Sequence, residues 1–262
     1  MSDIRTKPYS STSSATSVSI GGVLALLYGA LSYTVFLIAF LYAIGFVGNL
    51  VVPKTIGSGT ERPLQETLIV NVLLLGAFAS QHSVMARPGF KKWWTKIVPK
   101  SIERSTYVLF ASLLLLLLFW QWRPLPTPIW VIENSVGQFL LQALFFLGWL
   151  IVFLGTFMIN HFDLFGLRQV YLNLRKREYM DLGFRTPGFY KFLRHPIMLG
   201  FLIAFWSTPV VTIGHLLFAV ATTGYIFIAL QLEERDLVNH FGDQYQQYRR
   251  KTSMLIPRLP KR

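Results

Sequence analysis

The chain has 262 residues, 53% of them apolar and 14% charged, with a formal net charge of +13 and no cysteine. A soluble domain devotes nearer a quarter of its residues to charge, so this shortfall, gathered in long apolar blocks, points to a membrane protein. The missing cysteine excludes disulfides, thiolate metal sites and a covalent cysteine intermediate, and the basic excess is spread between apolar blocks, where it reads as headgroup-facing charge with no nucleic-acid partner.

Residues 1–19, rich in Ser and Thr with Arg5 and Lys7, read as a disordered tail, and 20–262 as one membrane domain. No small-residue cleavage site follows a short apolar core, so the first block, about Gly21 to Val52, is expected to stay as a span. It exceeds the roughly 20 residues that a crossing needs, which implies tilt or an exposed end. The second block, about Thr67 to Met85, carries Asn71, Gln81 and His82. Then come Lys91 to Lys96 with Trp93 and Trp94, the pattern of an interfacial helix or a lid over a site. The third block, about Thr106 to Trp122, holds Leu113 to Leu118 and an aromatic flank of Trp120 and Trp122. The fourth spans about Val136 to Ile159.

The fifth block, Pro196 to Gln231, is too long for one crossing and has Ser207, Thr208 and Pro209 near its middle. Proline removes a donor and clashes with the preceding turn, so the block is predicted to fold as two helices returning to the side they left. The fold class is therefore all-α, a polytopic transmembrane bundle whose last block is a hairpin. Basic residues concentrate in the connections after the second and fourth blocks and in the tail, with few after the first and third. The positive-inside rule then assigns the basic connections, the N-terminus and the C-terminal tail to the cytosol.

Four of the five histidines, His82, His161, His195 and His240, fall at or beyond the expected cytosolic ends of spans, and His215 lies near the hairpin turn. Intramembrane and interfacial polar groups invite a functional reading, although each histidine also suits a cap. His82 and His161 are conceivable axial haem ligands. Yet no pair has helical metal-site spacing, and HExxH, GxGxxG, a P-loop and GxSxG are all missing. No metal is expected. If the fifth block doubles back, Arg194-His195-Pro196 meets Glu233-Glu234, with Tyr245, Tyr248 and Arg249 close behind.

These residues are also familiar as a set. Gly188, Tyr190, Arg194-His195-Pro196-Ile197-Met198-Leu199-Gly200, Glu233-Glu234, Phe241-Gly242, Tyr245 and Tyr248 resemble the C-terminal signature of the isoprenylcysteine carboxyl methyltransferase superfamily. Met198 stands where that superfamily usually has tyrosine. Gln81-His82-Ser83-Val84-Met85-Ala86-Arg87-Pro88 and Asn160-His161-Phe162-Asp163-Leu164-Phe165-Gly166-Leu167 resemble one bacterial branch, the methanethiol S-methyltransferases. This resemblance implies a multi-pass protein of the bacterial inner membrane with a cytosol-facing site. It implies methyl transfer from S-adenosylmethionine to methanethiol, a small apolar thiol, giving dimethyl sulfide and S-adenosylhomocysteine. Residues 194–250 would form the cofactor-binding hairpin and tail. Arg168, Tyr190, Arg194, His195, Gly200, Glu233, Glu234, Tyr245 and Tyr248 are the expected cofactor residues. The thiol must react as thiolate, and His82, His161 and Asp163 are the candidate bases. Other readings are a methyltransferase for another thiol or for isoprenylcysteine carboxylate, a hairpin-type double-bond reductase, and an accessory or haem-binding protein of nitrite and nitric oxide reduction. Oligomeric state stays open.

Overall fold

A computed structural model describes residues 19–256. The tail expected to be disordered lies outside the described residues except for Ser19, whose hydroxyl caps the first helix by accepting from the Gly22 amide at 3.1 Å. Among the described residues, five long apolar helices form the bundle: α1 (Ile20–Gly48), α2 (Leu64–Ala86), α4 (Lys100–Gln121), α5 (Ser135–Ile159) and α9 (Ile213–Phe241). Between α2 and α4 lies the short α3 (Pro88–Trp94), opened by proline in the position where its missing amide costs nothing. After α5 come α6 (His161–Leu164), α7 (Leu167–Leu174), a 3-10 turn (Gly188–Lys191) and α8 (Pro196–Trp206); α10 (Asp243–Lys251) follows α9.

Leu24, Leu27, Leu31, Phe139, Leu140 and Leu147 point outward, as side chains facing lipid would. Inside, Phe46, Phe119, Trp122, Phe145, Trp149, Phe205 and Phe218 form one aromatic core joining α1, α4, α5, α8 and α9. Helices α5 and α8 cross closely over small residues. A Cβ added at Gly200 would lie 2.6 Å from the Gly148 carbonyl oxygen, and one at Gly155 would lie 2.7 Å from Ile197. Small residues at such a crossing let backbones approach where lipid supplies no hydrophobic drive.

The hairpin exists, with an unforeseen turn. Helix α8 has 11 residues, about half the length that a crossing needs. Ser207, Thr208 and Pro209 follow as an irregular turn, and Val210–Thr212 continue as a strand, whose residues each cover about twice the rise of a helical one. Extended backbone leaves amides and carbonyls that lipid cannot satisfy. Here strand β2 (Val210–Thr212) pairs antiparallel with β1 (Pro128–Val131), from the loop between α4 and α5. His215 closes the turn by donating from Nε2 to the Phe205 carbonyl at 2.8 Å.

Candidate active site

The returning hairpin brings together residues 39 positions apart in the chain: His195 Nε2 lies 3.1 Å from Glu234 Oε1. The same carboxylate accepts from Arg194 Nε at 2.6 Å, and its other oxygen forms an ion pair with Arg249 Nε at 3.2 Å. Only 7% of the Glu234 side chain is exposed, so it is a buried anion held by two guanidiniums and an imidazole. Arg194 is further anchored by its Nη1, which donates to the carbonyls of Arg249 and Thr252. Backbone bonds from Arg194 N to Ser253 O and from His195 N to Met254 O clamp the C-terminal segment over the start of α8. Glu233 differs. About half exposed, it stands 3.7 Å from His195 Nδ1 with capacity to spare.

Three tyrosines surround this cluster. Tyr248 donates to the carbonyls of Tyr190 and Leu193 at 2.6 and 3.2 Å, tying α10 to the 3-10 turn. Phe184 packs against Tyr245 and Tyr248. Tyr245 is buried, yet its hydroxyl has no partner among the described residues. Burial raises the Tyr190 and Tyr245 phenols and pushes Tyr248 up to about 12. All three stay protonated near neutrality, so they offer donors and aromatic faces and cannot serve as bases.

The other expected residues fall into separate environments. Gly200 faces α5 at the helix crossing, where close approach of the Gly148 carbonyl requires glycine. Asp163 accepts from Arg168 Nη1 at 3.1 Å, from Gln169 at 3.3 Å and from the Tyr179 hydroxyl at 3.2 Å. Asp163 and Arg168 thus hold each other and their loop. His82, on α2, meets the Tyr107 hydroxyl of α4 at 2.9 Å and stacks beside Phe78. His161 is buried between the Tyr33 hydroxyl, 2.7 Å from Nε2, and Thr156 Oγ1, 2.8 Å from Nδ1. Burial lowers its pKa below the ordinary 6.5, so it is neutral and able to accept a proton. The two histidines occupy separate networks and do not face each other as a ligand pair would.

Comparison with known proteins decides the family. The chain is 60% identical over 234 residues to methanethiol S-methyltransferase of Mycobacterium tuberculosis, covering 89% of this chain and 96% of that one. It is 54% identical to methanethiol S-methyltransferase of Crocosphaera subtropica, with 90% and 93% covered. The chain belongs to the methanethiol S-methyltransferase family. A more distant likeness, 29% identity over 65% of the chain, is to nurim of Bos taurus, of which 68% is covered. No family model and no solved structure matches.

For a methanethiol S-methyltransferase, several residues at this face escape sequence reasoning. Arg249 reads in the sequence as one of many basic tail residues, and only the fold reveals it as a partner of Glu234. Arg87 bonds Asp236 at 2.8 Å and Ser83 bonds Tyr225 at 3.2 Å, which seals the end of α2 against α9. Tyr33 and Tyr107 sit within leucine-rich spans, where a tyrosine looks like packing until its hydroxyl is seen on a histidine. Their signal was a short polar run at an apolar block, Ser32-Tyr33-Thr34 and Ser105-Thr106-Tyr107.

Proposed function

We propose that this chain transfers the methyl group of S-adenosylmethionine to methanethiol, giving dimethyl sulfide and S-adenosylhomocysteine, at the cytosolic face of the inner membrane. The observation that carries the reading is the Arg194–His195–Glu234–Arg249 cluster around a buried carboxylate, assembled from both ends of the hairpin beneath a tyrosine-rich cover.

The residues fit an adenosyl amino acid. Tyr245 carries a buried hydroxyl that lacks a partner among the described residues, and Glu233 keeps a half-exposed carboxylate for hydroxyl or ammonium groups. Arg249, about half exposed, suits a carboxylate, and it borders an open groove of about 460 Å³ shared with Val238, Gln246 and Arg250. That volume lies within the usual range for small-molecule sites. Arg194 and Glu234 hold these groups in place. When bound, the sulfonium supplies an electrophilic methyl group and favours a nearby thiolate. Alignment and exclusion of water fall to the protein, and His161, neutral and buried, supplies the base. Basic connections at this face support the cytosolic assignment, and a small apolar thiol can arrive through lipid.

Headspace gas chromatography of cells expressing the chain and fed methanethiol tests the activity, with dimethyl sulfide expected above the vector control. Calorimetry on purified variants tests the division of labour. His195→Ala and Glu234→Ala are expected to lose donor binding, whereas His82→Ala and His161→Ala keep it and lose turnover. Equal loss of binding in all four contradicts the assignment.

A further inference from the structure

Asp163 and Arg168 spend part of their bonding on a segment that the proposed mechanism leaves unused. Residues 177–187 run from α7 to the 3-10 turn as neither helix nor strand. Tyr179 donates its hydroxyl to Asp163 Oδ2 at 3.2 Å. Burial and the Asp163 and Asp181 carboxylates raise the Tyr179 phenol, so it keeps the proton that it donates. The Arg168 guanidinium lies 5.2 Å over the Tyr179 ring, and its Nη1 donates to the Met180 carbonyl at 3.3 Å. One end of the segment is thereby fastened to α6 and α7. The other end runs into Tyr190, whose carbonyl accepts from Tyr248.

Between these anchors the segment crosses the tyrosines of the donor site. Phe184 stands edge to face with Tyr245, ring centres 5.9 Å apart and planes at 89°. It also lies 5.3 Å from Tyr248 and 5.4 Å from Phe241. Inclined ring pairs of this kind are a favoured packing. An added Cβ at the neighbouring Gly183 would meet nothing within 4 Å, so the backbone runs over the surface while Phe184 reaches in. Tyr245 is 2% exposed and carries the hydroxyl that has no partner among the described residues. Asp181 and His240, 3.5 Å apart, are both exposed, and such a pair holds weakly. The grip on the segment is left to Phe184 and to the Asp163–Arg168 pair.

Resting on the proposed donor site, we infer that residues 177–187 are a strap across it: Phe184 is a positioning residue that covers Tyr245 and the bound sulfonium donor, and Asp163 and Arg168 anchor the strap. A cover that excludes water and fixes orientation is what methyl transfer from a sulfonium asks of the protein. The spent thioether must also leave after each turnover, and a strap of irregular backbone with few bonds can lift to release it. Asp163 serves here as an anchor and exchanges no proton with the thiol. Loss of the strap therefore weakens the hold on the donor and leaves the chemical step intact.

Phe184→Ala is expected to raise the donor KM by about 10-fold, the scale of one aromatic contact, with kcat nearly unchanged. Phe184→Tyr, which keeps the ring, should restore the wild-type KM. Tyr179→Phe and Asp163→Ala break the same bond, so each should raise the donor KM and the pair together little more than the larger single change. In wild-type protein, S-adenosylhomocysteine should slow tryptic cutting after Arg185, exposed on the strap, and Phe184→Ala should lose that protection. An unchanged donor KM in Phe184→Ala overturns the inference. So does a cut at Arg185 that is equally fast with and without S-adenosylhomocysteine in wild-type protein that calorimetry shows to bind it. Asp163→Ala that loses kcat at an unchanged donor KM overturns the anchor and makes Asp163 a base. Wild-type protein that binds neither donor nor S-adenosylhomocysteine overturns the donor site itself, and the inference with it.

Discussion

Glu234 is the residue on which the candidate site depends. Two guanidiniums and an imidazole converge on a carboxylate that the surrounding protein buries. Removing one partner of a buried ionic cluster leaves the others uncompensated. Glu234→Ala is expected to destabilise the protein by about 3–5 kcal/mol, measured by denaturation in detergent, with Glu234→Gln losing less. His161 makes a separate prediction through pH. Its folded pKa is lowered, so the neutral, proton-accepting form persists below pH 6.5 and is lost as pH falls through the lowered value. The acid limb of kcat is expected below 6.5, and its position should change when His161 is replaced by Gln; a limb above 6.5 contradicts the role. Some of this was legible in the sequence. Arg194, His195 and Glu234 stand out because they flank the two ends of one apolar block too long for a single crossing, so a return at Pro209 brings them together. The packing role of Gly200 was hidden, because a motif glycine and a helix-crossing glycine look alike without the partner helix. Asp163 and Arg168 are five residues apart, and only the folded loop reveals that they pair with each other.

At the level of elements, two contacts hold the site in register. The first is the α5–α8 crossing. Gly200→Ala would push a methyl group into the Gly148 carbonyl and Val152, an overpacking that costs about 1–3 kcal/mol. It should also weaken donor binding by shifting His195, and unaltered stability and binding would show that the crossing has slack. The second is the C-terminal segment, whose backbone accepts from Arg194 and His195. Deleting the chain from residue 243 onward is expected to abolish donor binding while the protein still inserts in the membrane, as followed by calorimetry and membrane fractionation. Block boundaries were legible because apolar length and interfacial charge are local properties. The β1–β2 pairing was not, since it satisfies backbone groups freed by the break at Pro209 and leaves no side-chain pattern.

For the whole molecule, the claim is that the site opens to the cytosol and receives its two reactants by different routes. The chain has no cysteine, so an introduced one is the only thiol that a reagent can find. Gln247→Cys, on the exposed side of α10, is expected to resist a membrane-impermeant maleimide in intact cells and to label after lysis. Glu133→Cys, in the exposed loop opposite, should label in intact cells. The reverse pattern overturns the orientation. The central claim is that this bundle moves a methyl group from a sulfonium donor to a thiol. Its most direct measurement supplies purified protein with methyl-labelled S-adenosylmethionine and methanethiol and follows the label. The account predicts labelled dimethyl sulfide, formed one-for-one with S-adenosylhomocysteine and lost with His195→Ala. Donor that stays intact, or a volatile product without label, would contradict it.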